Sequence, residues 1–152
     1  MNSSSASPLV IDAGVGYMLC VESAASAALR AELAAGAGRN LWLCAPDLWR
    51  YELTSIITKA VHFQQLSETL ARETLQLANH LNVQLFQPDN ELVMEAFDWT
   101  RRLKRAAAYD SFYLALARRL DCELWTTDRR LVNAVGAPWV RHLGSAAQEH
   151  PA

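Results

Sequence analysis

Cysteine is scarce in this sequence, and its spacing excludes a disulfide framework or a zinc cluster. Cys20, Cys44 and Cys122 are odd in number and far apart, whereas structural zinc sites draw their ligands from closely spaced pairs. The four histidines are equally scattered and form no pair suited to zinc. We therefore expect three reduced thiols in the core of a cytoplasmic protein.

Long apolar runs, a secretion signal and phosphate-binding glycine motifs are also lacking. The uncharged apolar stretches are much shorter than the ~20 residues that span a bilayer, so we expect no membrane partner. The Ser-rich start, MNSSSASP, has neither the basic nor the apolar region of a signal peptide. Without a P-loop or a G-x-G-x-x-G motif, the chain is not expected to use nucleotide-driven chemistry.

The composition is that of one globular domain. With 152 residues, of which 51% are hydrophobic, the chain can bury a full core and gives no sign of a second one. We predict a disordered tail over residues 1–8, a folded domain over 9–143 and a frayed C-terminal tail over 144–152.

Apolar runs and helical periodicity alternate along the chain. Strands are predicted near residues 9–12, 41–45, 83–86, 123–127 and 139–142. Helical stretches are predicted near 14–35, 47–63, 67–80, 90–104, 108–119 and 128–135, with a helix stop at Gly36 or Gly38. Such alternation favours a three-layer α/β/α sandwich with a mostly parallel central sheet.

Four acidic residues stand where such a sheet would gather them. Asp12 ends LVID and Asp128 ends ELWTTD, so each follows a predicted strand, at the sheet edge where ligands bind. Glu52 and Asp110 lie in helical patterns and interrupt faces that are otherwise partly apolar, and Tyr113 shares the face of Asp110. The pattern predicts that the four carboxylates meet in one pocket.

Carboxylates that are withdrawn from water need a cation or strong hydrogen-bond donors. No Lys, Arg or His neighbours Asp12 in LVIDAGVGYML, so a bound cation is its simplest partner. Mg2+ and Mn2+ take oxygen ligands, lower the pKa of a bound water and neutralise charge on a phosphate. The quartet therefore predicts a metal site that hydrolyses phosphodiester bonds with an activated water. Its ligands and catalytic residues would be Asp12, Glu52, Asp110 and Asp128.

Each of the four acids also has a purely structural alternative. Asp128 before RRLVNAV suits a helix N-cap, and Asp12 before AGVGYML suits a turn. Glu52 fits an exposed helix position, and Asp110 fits an N-terminal charge that complements the helix dipole. What favours a shared site is the order and context of all four acids together.

Four segments resemble the acidic motifs of PIN-domain ribonucleases, in the order and approximate spacing of the virulence-associated protein C toxins. They are LVIDA, APDLWRYEL, AAYDSFYLALA and LWTTDRRL, and the resemblance runs from about Leu9 to Leu143. It implies a PIN-like nuclease domain in which Asp12 and Asp110 are the foremost candidates for direct metal ligands. It also implies that Thr126, which matches a Ser or Thr common in the family, orients a carboxylate or a water.

Gly14 is a departure from the family pattern. Many members carry Ser or Thr two residues after the first Asp, so this chain lacks a hydroxyl donor at that position. The departure puts the geometry around the carboxylate in question rather than metal binding itself.

The resemblance also implies partners, namely an RNA substrate, a second copy of the chain and a cognate antitoxin protein. In that family the C-terminal segment of the antitoxin lies across the active-site groove. Trp49 and Tyr51 lie on a predicted helix whose outward positions would otherwise be polar. An apolar surface there would suit a protein partner.

Charge is unevenly distributed, although the formal net charge is only -2. Residues 101–141 hold nine Lys or Arg against four acids. A basic half around an acidic pocket suits a phosphate backbone, and Arg129 and Arg130, next to Asp128, are the candidates for RNA contacts. Part of the basic segment has a structural alternative, a solvated helix end favoured by the macrodipole. That part comprises Arg101, Arg102, Lys104 and Arg105.

The sequence as a whole predicts a Mg2+- or Mn2+-dependent endoribonuclease of the toxin type. One alternative is a PIN-fold RNA- or protein-binding regulatory module with little or no nuclease turnover. Another is a receiver-like phosphoryl-transfer protein that uses Asp12 as the acceptor. That class would need a D-x-D motif or a well-placed Lys, and neither follows Asp12.

Overall fold

The computed structural model describes residues 5–36 and 40–144. Strands and helices alternate along most of this part of the chain. In order, they are β1 (Ser7–Ile11), α1 (Ala13–Cys20), α2 (Ala24–Gly36), β2 (Leu41–Pro46), α3 (Leu48–His62), α4 (Glu68–His80), β3 (Gln84–Phe86), α5 (Asn90–Arg102), α6 (Tyr109–Arg119), β4 (Leu124–Thr126), α7 (Arg129–Val135) and β5 (Val140–His142).

The five strands form one sheet in the order β3-β2-β1-β4-β5, and every neighbouring pair is parallel. The predicted α/β sandwich with a parallel central sheet is confirmed. The strand order reverses at β1, which pairs with β2 on one side and with β4 on the other. In such sheets the reversal opens a crevice at the carboxyl ends of the strands, where ligands bind.

The central strands are buried on both faces because helices cover the sheet. Leu9, Val10 and Ile11 of β1 are at most 2% exposed, and Leu124 of β4 is fully buried. Parallel strands covered in this way read as continuous apolar runs rather than as alternating patterns. This is why LVI and ELW predicted the strands that lead to the acidic residues.

The chain between residues 14 and 35 forms two helices, so the prediction of one continuous helical stretch is wrong. α1 ends at Cys20 and α2 begins at Ala24. The break follows from Ser23, whose hydroxyl oxygen accepts a hydrogen bond from the Ser26 N–H at 3.0 Å. A serine in this position stabilises a new helix start.

The first strand also begins earlier than predicted. Ser7 and Pro8 belong to β1, and the Ser7 N–H donates to the Asn40 carbonyl at 3.0 Å. They are therefore part of the sheet rather than of a disordered tail. Residues 1–4 and 145–152 of the predicted tails, and Gly38 as a helix stop, lie outside the described residues.

The three cysteines agree with the expectation of reduced thiols. Cys20 and Cys44 are buried, Cys122 is half-buried, and all three are free thiols. Within the residues that the structure covers, no helix is both long and apolar enough to cross a bilayer.

Trp49 connects α3 to the first helix, and the prediction that it faces outward is wrong. Its side chain is only 3% exposed, and its indole Nε1–H donates to the Asp12 carbonyl at 3.1 Å. The ring lies over Gly16 of α1, where an added Cβ would come closer than 3.0 Å to it. Tyr51, the second residue of the predicted apolar surface, is 77% exposed, as expected.

Gly16→Ala should therefore destabilise the protein. At an ordinary helix position this change stabilises by about 1 kcal/mol, but here the new methyl overlaps the Trp49 ring. Overpacking of this kind costs about 1–3 kcal/mol. Urea unfolding of the variant measures the loss, and Trp49→Phe in the same background should recover part of it because the two residues are in contact. An unchanged or increased free energy of unfolding would contradict the packing described here.

Candidate active site

The four predicted acids converge on the crevice between β1 and β4. Asp12 directly follows β1, and Asp128 lies two residues beyond the end of β4. Asp110 comes from the first turn of α6, and Glu52 comes from α3. Burial raises the pKa of Asp12, Glu52 and Asp110, and neighbouring charges add to this effect: Asp110 acts on Asp12 and Glu52, and Asp128 acts on Asp110. The structure thus brings all four side chains to one edge of the sheet.

Asp12 combines a structural role with a place in this crevice. One carboxylate oxygen accepts a hydrogen bond from the Val15 N–H at 2.8 Å and caps α1. The other accepts from the Thr126 hydroxyl and from the Thr127 N–H, the latter at 3.1 Å. Burial nevertheless raises the pKa of Asp12 above its ordinary value, and these hydrogen bonds only partly offset the effect.

Glu52 is held by a tyrosine that the sequence did not single out as a site residue. The Tyr113 hydroxyl donates to the Glu52 carboxylate at 2.7 Å. Burial raises the pKa of Glu52, and Asp110 and Asp12 raise it further. Burial and the adjacent Glu52 charge also raise the pKa of Tyr113, which keeps the phenol protonated as a donor. The signal in the sequence was that Tyr113 shares a helix face with Asp110.

Arg105 is the second residue that sequence reasoning missed. Its guanidinium lies 2.9 Å from the Asp110 carboxylate and 3.9 Å from that of Asp128. Its side chain is only 25% exposed, so the interpretation of Arg105 as part of a solvated helix end is wrong. Burial and Asp128 raise the pKa of Asp110, and Arg105 opposes them.

Asp128 also serves the structural role proposed for it. One carboxylate oxygen accepts a hydrogen bond from the Leu131 N–H at 3.0 Å and caps α7. Its backbone N–H donates to the Thr126 hydroxyl oxygen at 2.9 Å. Thr126 therefore connects Asp128 to Asp12, because its own hydroxyl proton goes to the Asp12 carboxylate. The helix cap predicted for Asp128 is confirmed, and Asp12, for which a turn was predicted, caps α1.

The other basic residues of the 101–141 segment do not surround the crevice as a group. Arg129 and Arg130 are exposed in the first turn of α7, next to Asp128 as predicted. Arg119 pairs with Asp89 at 2.9 Å. Three further guanidinium groups stack on tryptophan rings, namely Arg102 on Trp99, Arg118 on Trp139 and Arg141 on Trp125.

The donor set fits a hard divalent cation in its chemistry. Apart from the Arg105 guanidinium, the converging side chains offer carboxylate and hydroxyl oxygens, and oxygen ligands are those that Mg2+ and Mn2+ prefer. Burial and mutual repulsion raise the pKa of Asp12, Glu52 and Asp110, which a cation would relieve. Among the residues described, however, no three acidic, histidine or cysteine side chains are grouped closely enough to hold a metal ion.

A steric contact explains why position 14 is a glycine. A Cβ added to it would come closer than 3.0 Å to the Thr127 hydroxyl oxygen, so a side chain at position 14 and the Thr127 side chain exclude each other. The Thr127 side chain, from the turn after β4, fills the space that a side chain at position 14 would need. Gly14 thus allows that turn to lie against the start of α1.

Comparisons with known proteins agree with this architecture. A family model described as the PIN domain matches residues 9–136. Ribonuclease VapC1 of Mycobacterium tuberculosis strain CDC 1551 / Oshkosh is 34% identical over 94 residues, which cover 62% of this chain and 68% of that protein. Ribonuclease VapC1 of strain ATCC 25618 / H37Rv matches with the same identity and coverage.

Glu52→Gln should stabilise the metal-free protein at neutral pH. A carboxyl whose pKa is raised on folding stabilises the native state below its unfolded pKa of about 4.3, and this contribution is lost as pH rises through the folded pKa. Glutamine removes the charge and can still accept from Tyr113. The melting temperature in chelator should rise at pH 7.5 by about 2–4 °C for each kcal/mol of repulsion removed, and the gain should vanish near pH 4. Glu73→Gln, on the exposed face of α4, is the control. It should leave the melting temperature unchanged both at pH 7.5 and near pH 4.

Proposed function

The chain belongs to the PIN domain family, and on that premise we propose that it is a metal-dependent endoribonuclease. The observation that carries the proposal is the convergence of four carboxylates at the crevice between β1 and β4, where neighbouring acids help to raise the pKa of Asp12, Glu52 and Asp110. A fold accepts such repulsion where the charges are used, so carboxyls whose pKa is raised by burial and by neighbouring charges identify a candidate functional site. The proposed nuclease domain comprises residues 9–143.

The same carboxylates would hold the cation. Asp12 and Asp110 are the proposed direct ligands of Mg2+ or Mn2+, and Glu52 and Asp128 complete the set. When bound, such an ion lowers the pKa of a water molecule and neutralises charge on the phosphate that is attacked.

Neighbouring groups of the chain orient these carboxylates and favour their charged form. The Thr126 hydroxyl and the Thr127 N–H both donate to one oxygen of Asp12. The Tyr113 hydroxyl donates to Glu52. These donors need no movement when substrate arrives, and preorganised donors of this kind position reacting groups at little reorganisation cost.

The proposed substrate is RNA, and Arg129 and Arg130 would contact its phosphates. Both follow Asp128 directly and are exposed at the start of α7. Their position lets a phosphodiester backbone meet positive charge beside the carboxylates. Guanidinium groups suit this role because they bind phosphate oxygens in a bidentate manner.

The proposed biological role is that of the toxin of a type II toxin–antitoxin pair. The basis is the similarity to the two VapC1 ribonucleases. The proposal includes an antitoxin protein as partner, a homodimer and a cytoplasmic location. Exposed apolar side chains support protein partners. They include Tyr51 on α3 at 77% exposure and Met94 and Phe97 on α5 at 60% and 55%.

A second candidate function is an RNA- or protein-binding module with little turnover. The ion pair between Arg105 and Asp110 favours it, because a guanidinium already neutralises part of the carboxylate cluster. Turnover of RNA with and without divalent metal separates the two candidates. Sequencing the RNA ends left by the purified protein identifies the cleavage site.

Asp110→Asn should abolish RNA cleavage without unfolding the protein. The change is nearly isosteric and removes the charge of a proposed metal ligand. The cleavage rate should fall by more than tenfold, which corresponds to about 1.4 kcal/mol of transition-state stabilisation. Asp98→Asn, the same change at an exposed position of α5, should leave the rate unaltered. A folded Asp110→Asn protein that keeps more than a tenth of the wild-type rate would rule out a direct ligand role.

Replacing both Arg129 and Arg130 by Ala should weaken RNA binding to a similar degree for all sequences. Fewer counterions are then released on binding, so the dependence of affinity on salt should become shallower. The control is Arg101→Ala with Arg102→Ala, which removes the same charge from the end of α5. RNA binding is measured for both double variants at several salt concentrations. Equal effects of the two would show only a general effect of net charge and would contradict a specific contact by Arg129 and Arg130.

A further inference from the structure

Arg105 is a cation placed directly against the acids of the site. Its guanidinium lies 2.9 Å from the Asp110 carboxylate and 3.9 Å from that of Asp128. Asp12 and Glu52 instead receive uncharged donors. The negative charges of the crevice are therefore compensated in two ways. Uncharged hydrogen-bond donors contact Asp12 and Glu52, and a guanidinium contacts Asp110 and Asp128.

The backbone holds Arg105 in this place. α5 ends at Arg102, and Lys104 follows with a left-handed φ of 54°. The Arg105 N–H donates to the Thr100 carbonyl at 3.1 Å, which closes the turn. The ion pair is thus not the chance position of a long side chain on a straight helix, because the turn returns Arg105 to the start of α6.

A divalent cation and this guanidinium would need the same carboxylates. Asp110 is a proposed direct ligand, and Asp128 belongs to the proposed set. Two cations that share these oxygens would repel each other at close range in a partly buried crevice, where electrostatic interactions are screened less than in water. Occupation by one therefore opposes occupation by the other.

We propose that Arg105 is the internal counter-cation of the site. It positions Asp110 and Asp128 in the metal-free protein and leaves them when Mg2+ or Mn2+ binds, so it lowers the affinity of the site for metal. This proposal rests on the proposed metal-dependent nuclease function and adds a competitor that belongs to the chain itself.

Calorimetric titration of the full chain with Mn2+ alone tests this competition. Arg105→Gln should bind Mn2+ at least tenfold more tightly than wild type, equivalent to about 1.4 kcal/mol. Arg105→Met, which keeps the apolar stem of the side chain, should do the same if glutamine impairs folding. Arg105→Lys keeps the positive charge and should stay close to wild type.

Arg101→Gln is the matched control, since it removes an equal charge four residues away at an exposed position. Its Mn2+ affinity should stay within roughly twofold of wild type, because distant exposed charges are screened. Unchanged or weaker Mn2+ binding by the Gln and Met variants of Arg105 would overturn the proposal. Tighter binding by Arg101→Gln to the same extent would also overturn it, because the effect would then be one of net charge.

Thermal unfolding in chelator supplies a readout that is independent of metal affinity. Arg105→Gln should melt below Arg101→Gln without metal, since Asp110 and Asp128 lose their counter-cation, and saturating Mn2+ should remove most of that difference. These measurements distinguish failure of the counter-cation role from failure of the metal-dependent function. If wild type binds Mn2+ but the Arg105 variants bind it no better, only the counter-cation role fails. If no variant binds Mn2+, the metal-dependent function fails with it.

Discussion

The carboxylate of Asp12 is the group on which both the fold and the candidate site depend. One oxygen caps α1, and the other receives two donors from the turn after β4. Its own backbone N–H donates to the Trp125 carbonyl of β4 at 3.1 Å, and its carbonyl accepts from the Trp49 indole of α3. A single residue thus connects β1, β4, α1 and α3 at the point where the strand order reverses. Burial at this point raises the pKa of the carboxylate, and its hydrogen bonds offset only part of that rise.

Local sequence patterns predicted the parts of this arrangement that depend on neighbouring residues. Apolar runs identified the strands before Asp12 and Asp128 because both faces of a parallel sheet are covered. Helical spacing placed Glu52 and Asp110 on helices, and the alternation of elements led to a parallel sheet. The break between α1 and α2 also has a local cause, because the Ser23 hydroxyl caps the start of a new helix. It was not predicted because the surrounding alanines favour one continuous helix.

What the sequence did not reveal depends on contacts between residues far apart in the chain. The Tyr113 hydroxyl meets a carboxylate 61 positions away, and the Trp49 indole meets a carbonyl 37 positions away. Their partners are set by the packing of α3 and α6 against the sheet, which spacing alone does not predict. Arg105 was hidden for another reason. It follows Arg101, Arg102 and Lys104 in a basic run, and only the left-handed turn at Lys104 separates its direction from theirs.

The four acids carry charges that lower the stability of the fold, and neighbouring groups offset part of this cost. Uncharged donors hold Asp12 and Glu52, and burial still raises the pKa of both. Asp110 has a guanidinium beside it, and its pKa is raised nonetheless. The chain therefore reduces the repulsion without removing it. Complete neutralisation by further Lys or Arg would stabilise the fold but would leave no unsatisfied negative charge for an external cation. In the proposed function, residual repulsion at the sheet edge would make the site receptive to an external cation, in keeping with the cost in stability that functional sites carry.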